Sequence, residues 1–312
     1  MGEHPWVVRQ ALEAASVPPI DVALVGRLVA VQFPQWAGRP VVAAIPQGWD
    51  NRTFRLGADL AVRLPSAERY RAQVDKEHRW LPVLAAQLAL PIPMLQARGV
   101  PGENYPFPWS VYRWLEGETA ATARLEDPGS VARSLAGFLV ALQRCDPVGG
   151  PPPGPHCFWR GGPLSTYDVE TRRTIRELGD LVDGSAATAV WDAALAARGD
   201  GRPVWFHGDV APGNLLIRGD DLTAVIDFGC CGVGDPACDL TIAWTLFSGE
   251  SREAFRAGLA VDAATWARGR GWALWKALIT LVEHRVTDPA AAGAALDVVH
   301  DVQAEHAATV RP

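Results

Sequence analysis

The chain has 312 residues, enough to bury a large hydrophobic core, and its 48% hydrophobic and 21% charged residues are ordinary for a globular enzyme. Its formal net charge of −6 argues against nucleic acid as the main partner, because nucleic-acid binding favours a basic surface. The five cysteines are odd in number and show no C-x-x-C spacing, which argues against a disulfide framework or a zinc site.

The sequence also gives an expectation about location. It contains no stretch of about 20 apolar residues that would span a membrane. The N-terminal segment lacks the basic and apolar regions of a signal peptide. We therefore expect a cytoplasmic protein, a monomer or a homodimer, with neither membrane nor nucleic acid as a partner.

The first third of the chain predicts an antiparallel sheet with one inserted helix. Asp21 is suited to cap a helix that runs through residues 22–29 and ends near Phe33-Pro34. Ser66 is suited to cap the inserted helix, predicted over residues 67–89 and bent around Pro82. Turn residues separate five strand candidates, which cover residues 40–45, 52–56, 60–64, 91–96 and 109–114.

Helical patterning dominates after residue 114, interrupted by the proline- and glycine-rich loop 147–155. Asp262 and Asp288 are suited to cap two late helices. On the first of these, Trp272 and Trp275 belong to a stripe at three- and four-residue spacing, which predicts core packing.

A β-hairpin is predicted where the apolar runs 215–217 and 222–226 flank four polar residues. If the turn is formed by residues 220 and 221, the register places Asn214 opposite Asp227. An amide oxygen and a carboxylate then meet at the open end of the hairpin, which suits a hard cation such as Mg²⁺. Asp209 lies five residues before Asn214, on the loop that enters the hairpin.

These residues form a recognisable pattern: His207-Gly208-Asp209, then Asn214, then Ile226-Asp227-Phe228-Gly229. The spacing resembles the kinase catalytic loop with its D-F-G segment. The His-Gly-Asp form is similar to the aminoglycoside phosphotransferase family of small-molecule kinases. The resemblance implies that Asp209 is the catalytic base, that Asn214 and Asp227 hold one or two Mg²⁺ ions, and that His207 is structural.

The same resemblance implies a fold and two supporting residues. It implies an α+β, bilobal protein-kinase-like fold. Residues 1–114 would form a nucleotide-binding N-lobe with a small five-stranded antiparallel sheet and one main helix. Residues 115–312 would form a larger, mainly helical C-lobe that carries the catalytic hairpin. Asp235 and Asp239 would brace the catalytic loop, and Asp235 before Pro236 is also a good helix N-cap.

The nucleotide site is less typical. Only Lys76 and Lys276 are lysines, and no G-x-x-x-x-G-K-[ST] segment exists, so a P-loop kinase is excluded. Arg63 occupies the strand where kinases place a phosphate-binding lysine, and Glu77, fourteen residues on, would pair with it. The alternative is a surface-facing arginine with an unrelated carboxylate.

Two further segments complete the predicted nucleotide site. Asn51 and Thr53 lie in the predicted turn between the first two strands, where they are candidates to bind phosphate. Adenine is expected at the hinge backbone, which consists of Arg113, Trp114 and Leu115.

We therefore predict an ATP- or GTP-dependent, Mg²⁺-dependent O-phosphotransferase acting on a hydroxyl of a small molecule, with an aminoglycoside-type antibiotic as a candidate. A kinase of choline, homoserine or a sugar is the first alternative. A nucleotide-binding pseudokinase and a metallohydrolase with His207 and Asp209 as ligands are further alternatives. A group of acidic residues would suit a polyamine acceptor: Asp168, Glu170, Glu177, Asp180, Asp183, Asp262 and Glu283. Arginines are interleaved with the first of them, so a solvated helix face explains this group equally well.

Overall fold

The computed structural model describes residues 19–48, 50–199 and 201–310. The N-terminal segment without signal-peptide features, and Trp49 of the first predicted turn, lie outside these ranges. The chain divides into two compact units. The first comprises residues 1–87 and 91–116, and the second comprises residues 88–90 and 117–312.

The first unit is a five-stranded sheet with two helices. All neighbouring strands are antiparallel, in the order β1-β2-β3-β5-β4. The predicted sheet and its inserted helix, α2, are therefore confirmed. The elements are α1 (Val22–Gln32), β1 (Val41–Ala43), β2 (Asn51–Leu56), β3 (Leu60–Pro65), α2 (Arg71–Ala85), β4 (Leu95–Gly99) and β5 (Trp109–Arg113).

Helix α1 covers one face of this sheet. Its first turn is capped as predicted, because the Asp21 carboxylate accepts a hydrogen bond from the Leu24 amide at 2.8 Å. Its buried side chains join one cluster with Phe54, Val62 and Val111, which are cross-strand neighbours on β2, β3 and β5. Since side chains alternate along a strand, Arg63 on β3 points to the opposite face.

Two predicted boundaries in this unit are wrong. Helix α2 begins at Arg71, after a 3₁₀ turn at Glu68–Tyr70, and Ser66 does not cap it. Strand β4 begins four residues later than predicted, since Pro91 and Pro93 have no amide hydrogen to donate to a strand ladder. Pro82 is accommodated within the last turn of α2, which ends at Ala85.

The second unit is mainly helical and contains the β8–β9 hairpin, as predicted, and it carries two small sheets. Strand β6 pairs with the β8–β9 hairpin, and β7 pairs with β10. The helices are α3 (Pro128–Arg144), α4 (Asp168–Leu178), α5 (Gly184–Ala196), α6 (Ile242–Thr245), α7 (Gly249–Leu259), α8 (Ala263–His284) and α9 (Pro289–Val310). The strands are β6 (Glu118–Thr119), β7 (Val204–Phe206), β8 (Leu215–Arg218), β9 (Asp221–Val225) and β10 (Gly232–Gly234).

Helix α8 is the central helix of this unit. Asp262 caps it as predicted, by accepting a hydrogen bond from the Thr265 amide at 2.6 Å. Trp272 and Trp275 are buried, at 1% and 4% exposure, so the predicted core stripe is confirmed for these two residues. Within the described ranges, no helix combines the length and apolar character needed to cross a membrane.

Candidate active site

The β8–β9 hairpin has a different turn from the predicted one. Arg218 pairs with Asp221, so the two turn residues are Gly219 and Asp220 rather than 220 and 221. Gly219 has φ of 59°, a left-handed conformation that glycine adopts without steric cost. The register also shifts by one residue between Leu216 and the turn.

The changed turn alone would shift the pairing by two residues, and the irregularity beside Leu216 restores one of them, so the open end of the hairpin is shifted by one residue. The Ile226 amide donates to the Asn214 carbonyl at 2.9 Å, so Asn214 lies opposite Ile226 and the predicted pairing with Asp227 is wrong. Asp227 follows directly, with φ of 66° and ψ of 68°. Asn214 and Asp227 thus end the two strands of one hairpin, with an offset of one position.

Asn214 is oriented by the preceding loop. Its Nδ2 donates to the Asp209 carbonyl at 2.9 Å and to Oδ2 of the same residue at 3.2 Å. Since the amide nitrogen is directed to Asp209, the side-chain oxygen of Asn214 is the atom left to bind a cation. The loop and the hairpin therefore bring Asp209 and Asn214 together.

Gly208, in the His-Gly-Asp segment, occupies a position that requires a glycine. Strand β7 pairs with β10, with Phe206 opposite Gly232, which places Gly208 against Cys230. Gly208 has φ of 84°, and a Cβ atom at this position would lie 2.4 Å from the Cys230 carbonyl oxygen. A side chain at residue 208 would thus be excluded by both conformation and space.

His207 connects the loop to the hairpin. It is fully buried; its Nε2 lies 3.0 Å from the Ile226 carbonyl, and its Nδ1 lies 3.2 Å from the Asp209 amide. The carbonyl needs a donor and the amide needs an acceptor, so these two contacts fit the tautomer that carries a proton on Nε2 and a lone pair on Nδ1. This geometry supports the structural role that the resemblance implies.

Asp239 holds the start of the same loop. Its carboxylate is 1% exposed and accepts hydrogen bonds from the His207 amide at 2.8 Å and the Gly208 amide at 2.7 Å. Burial raises the pKa of Asp239, and the hydrogen bonds from the two backbone amides oppose this rise. Asp235 caps the 3₁₀ helix Pro236–Thr241 and pairs with Arg268 at 2.6 Å.

The carboxylate of Asp209 has a partner that the sequence did not reveal. Lys276 on α8 places its Nζ 2.9 Å from Oδ1 of Asp209. Burial alone would raise the pKa of Asp209, but attraction to Lys276 and to Arg160 outweighs it and lowers the pKa to about 2. Asp209 is therefore ionised throughout the neutral range, as a proton acceptor must be.

Arg160 is a second cation near this carboxylate. Its guanidinium carbon lies 4.5 Å from the ring centroid of Trp275 and 5.6 Å from that of Trp272. The two tryptophans thus carry a cation–π contact besides their core packing. Arg160 was not singled out from the sequence; the only signal available was its place after an irregular loop.

The first unit contains the predicted arginine–glutamate pair. Nη1 of Arg63 lies 3.3 Å from Oε1 of Glu77, and their side chains are only 12% and 6% exposed. The Tyr112 hydroxyl donates to the other Glu77 oxygen, Oε2. Arg63 is therefore not a surface-facing arginine with an unrelated carboxylate, and that alternative is wrong.

The remaining predicted nucleotide contacts lie on β2 and after β5. Asn51 and Thr53 belong to β2 rather than to the preceding turn, and the Thr53 amide donates to Gln47 Oε1 at 2.9 Å. At the hinge, the Arg113 amide donates to the Met94 carbonyl and the Trp114 amide donates to the Asp59 carbonyl, both at 2.8 Å. The amides of Arg113 and Trp114 are therefore already used within the protein.

A sheet with a buried Arg–Glu pair, followed by a helical unit whose hairpin carries an Asp, Asn and Asp, defines a phosphotransferase of the protein-kinase-like class. Residues 41–272 match the model of the APH phosphotransferase enzyme family. The chain belongs to this family, and the predicted resemblance is confirmed.

Solved structures agree on the fold. APH(2")-IIia in complex with GDP and kanamycin superposes with a TM-score of 0.70 at 19% identity, covering 89% of this chain and 98% of that one. The streptomycin–ATP–APH(2")-IIa ternary complex gives 0.57 at 16% identity, covering 92% and 98%. The macrolide 2'-phosphotransferase MphH from Brachybacterium faecium gives 0.54 at 20% identity, covering 90% and 98%. No curated protein matches the chain significantly.

The metallohydrolase alternative would require a cluster of ligands around His207 and Asp209. In the part of the chain that the structure describes, no group of three or more His, Cys, Asp or Glu side chains is placed to hold a metal ion. Membership of the phosphotransferase family decides against this alternative.

Proposed function

We propose that the chain transfers the γ-phosphoryl group of ATP or GTP to a hydroxyl of a small molecule, with Asp209 as the base. The observation that carries the proposal is the placement of Asp209, hydrogen-bonded to Asn214 and paired with Lys276 at 2.9 Å, beside the open end of the hairpin. Residues 1–114 would bind the nucleotide, and residues 115–312 would carry the catalytic loop and the acceptor site.

The comparisons support this reaction class. The family is one of phosphotransferases. Among the structural relatives, one was solved with GDP and kanamycin and another with ATP and streptomycin. A nucleoside triphosphate as co-substrate and a hydroxylated small molecule as acceptor are therefore the natural proposals. An aminoglycoside-type antibiotic, a macrolide or a small metabolite are candidate acceptors.

Asp209 would accept the proton of the acceptor hydroxyl. Its carboxylate is ionised at neutral pH, and its side chain is 35% exposed, so a substrate hydroxyl has access to it. Asp239 would hold the start of the loop, because it accepts hydrogen bonds from the His207 and Gly208 amides. His207 would tie the loop to the hairpin through the Asp209 amide and the Ile226 carbonyl.

Asn214 and Asp227 would hold Mg²⁺. Both present the hard oxygen donors that Mg²⁺ prefers, and the Asn214 side-chain oxygen is directed away from Asp209 by the hydrogen bonds of its Nδ2. When bound, Mg²⁺ would neutralise charge on the nucleotide phosphates.

Arg63 would bind the nucleotide phosphates, with Glu77 as the residue that orients it. Arginine binds phosphate through two parallel hydrogen bonds, and the Glu77 carboxylate is itself fixed by Tyr112. Asn51, Thr53 and the hinge at Arg113–Leu115 remain candidates for further nucleotide contacts.

Consumption of ATP and GTP across an acceptor panel tests the proposal. The panel contains aminoglycosides, macrolides, choline, homoserine and sugars, and the matched control is Asp209→Asn. We expect turnover with at least one acceptor, and a loss of ~10²–10⁴-fold in the variant, because proton acceptance by a positioned base is worth that much.

Two outcomes would contradict the proposal. Nucleotide binding without turnover on any acceptor would favour the pseudokinase alternative. Equal turnover by wild type and Asp209→Asn would remove Asp209 from the reaction.

A further inference from the structure

Arg160 is an unpaired cation in a partly buried place. Among the described residues, its guanidinium makes no ion pair and no hydrogen bond, and its Nε is buried without a partner. It packs instead on the faces of Trp275 and Trp272, which hold it in position and supply no counter-charge. A desolvated cation of this kind is costly unless an anion accompanies it.

Lys276 is a second cation that acts on the same carboxylate, Asp209, as Arg160 does. It follows Trp275 on α8, and its ammonium contacts Asp209 through one hydrogen bond at 2.9 Å. An ammonium has three donors, so Lys276 can bind a second acceptor while it stays paired with Asp209. Its side chain is 32% exposed, which leaves it accessible to a ligand.

Five of the seven acidic residues that could suit a polyamine are already engaged by other groups of the protein. Asp168 accepts from Arg172 and Trp191, each at 2.8 Å. Glu170 accepts from the Trp275 indole at 2.9 Å. The other engaged acidic residues are Glu177, paired with Arg285, and Asp183 and Asp262, which cap helices.

We infer that Arg160 and Lys276 form a subsite for an oxyanion beside Asp209. The inference rests on the proposed function, since it assigns the subsite to the reaction at Asp209. Arg160 has no ion-pair partner among the described residues, and Lys276 has donors beyond the one that Asp209 uses, so these two side chains are suited to bind an oxyanion. The oxyanion has two sources: the phosphoryl group in transfer, or a carboxylate or phosphate carried by the acceptor.

Calorimetric titration with inorganic phosphate tests the subsite without any turnover. We expect Arg160→Gln and Lys276→Gln each to weaken phosphate binding at least tenfold, and Arg160→Lys to retain most of it. The matched control is Arg173→Gln on the exposed side of α4, which removes the same charge from the same unit and should change binding less than twofold. Near-ultraviolet circular dichroism of the tryptophans checks that each variant is folded.

Two nucleotides distinguish the source of the anion. Phosphate that binds with ADP but is displaced by a non-hydrolysable ATP analogue occupies the position of the transferred phosphoryl group. Phosphate that still binds in the presence of the analogue occupies a place for an anionic group of the acceptor.

Either source supports the subsite, and two other results would overturn it. One is unchanged phosphate affinity in folded Arg160→Gln; the other is equal weakening in the Arg173→Gln control. These results also differ from a failure of the proposed function. In that case phosphate would bind to the subsite as expected, while the acceptor panel would show no turnover.

Discussion

Asp209 and Lys276 form an ion pair between a loop and a helix that are 67 residues apart in the chain, with Oδ1 and Nζ separated by 2.9 Å. This pair acts on the pKa of Asp209. Burial opposes ionisation of the carboxylate, whereas attraction to Lys276 and to Arg160 favours it. Of these two attractions, the one to Lys276 is the larger. Loss of Lys276 should therefore leave a base that is protonated more easily.

We expect Lys276→Gln to shift the acid limb of the kcat/KM profile upward. In the wild type, Asp209 has a pKa of about 2, so it should impose no acid limb between pH 4 and 8. In the variant, the limb should enter that range. Lys276→Arg keeps a cation and should keep the wild-type profile. Superimposable profiles for wild type and Lys276→Gln would show that the ion pair does not tune the base.

Asn214→Ala and Asp227→Ala should each raise the Mg²⁺ concentration that gives half-maximal activity. Both residues end the strands of one hairpin, so they would contribute to the same ion. The double variant should then be much less impaired than the sum of the two single effects. Titration of activity with Mg²⁺ measures this, and strictly additive effects would contradict a shared ion.

Arg63→Ala should weaken ATP binding far more than adenosine binding, because only ATP carries the phosphate charge. Arg63→Lys should be partly tolerated, and Glu77→Ala should give a milder defect, since Glu77 orients Arg63 at 3.3 Å. Tyr112→Phe, which removes the hydrogen bond to Glu77, is the matched variant for a purely indirect effect. Calorimetry with ATP and adenosine decides, and equal losses for both ligands would remove Arg63 from the phosphate site.

Asp239→Asn should destabilise the protein by about 2 kcal/mol, because one of two charge-assisted hydrogen bonds to buried amides is replaced by an unfavourable donor–donor contact. The loss should also lower kcat, since the amides belong to His207 and Gly208. Denaturant unfolding measures the free energy. The exposed Asp221→Asn, at the start of β9, is a control with the same change of side chain. Wild-type stability of Asp239→Asn would show that the loop does not depend on this carboxylate.

His78 should make stability fall at mildly acid pH. Burial lowers the pKa of His78 from 6.5 to about 4, with help from Arg98 and opposition from Asp75. Because the pKa of His78 is lower in the folded state than in the unfolded state, the neutral side chain favours the folded state. This contribution to the free energy of unfolding is fully present above pH 6.5 and is lost as the pH falls toward 4.

The expected loss from His78 between pH 7 and 5 is about 1 kcal/mol, discounted for its partial exposure. Urea unfolding at the two pH values measures it, and His78→Gln should remove this part of the pH dependence. An identical dependence in the variant would assign it to other groups.

The sequence predicted the elements whose signals are local. The five strands and the hairpin were found because turn residues separate short apolar runs, and Asp21 and Asp262 act as the caps that their positions indicate. The register of the hairpin was wrong by one residue, since two adjacent turn positions were both plausible and only backbone geometry selects Gly219.

The long-range partners were beyond local patterns. Lys276 meets Asp209 only because α8 packs across the loop, and its position within an apolar helix gave no indication of that contact. Arg160 likewise becomes significant through two tryptophans more than a hundred residues later. Glu77, by contrast, was predictable as the partner of Arg63 because a known spacing connected them.

The scarcity of lysine has a practical consequence for chemical labelling. Of the two lysine side chains, Lys76 is buried at 8% exposure, whereas Lys276 has a side chain that is 32% exposed. An amine-selective acylating reagent should therefore modify Lys276 first. A molecule bound beside Asp209 should protect Lys276 from this reagent. The mass of the peptide that contains Lys276 would then show whether the space is occupied, even when the bound molecule is unknown.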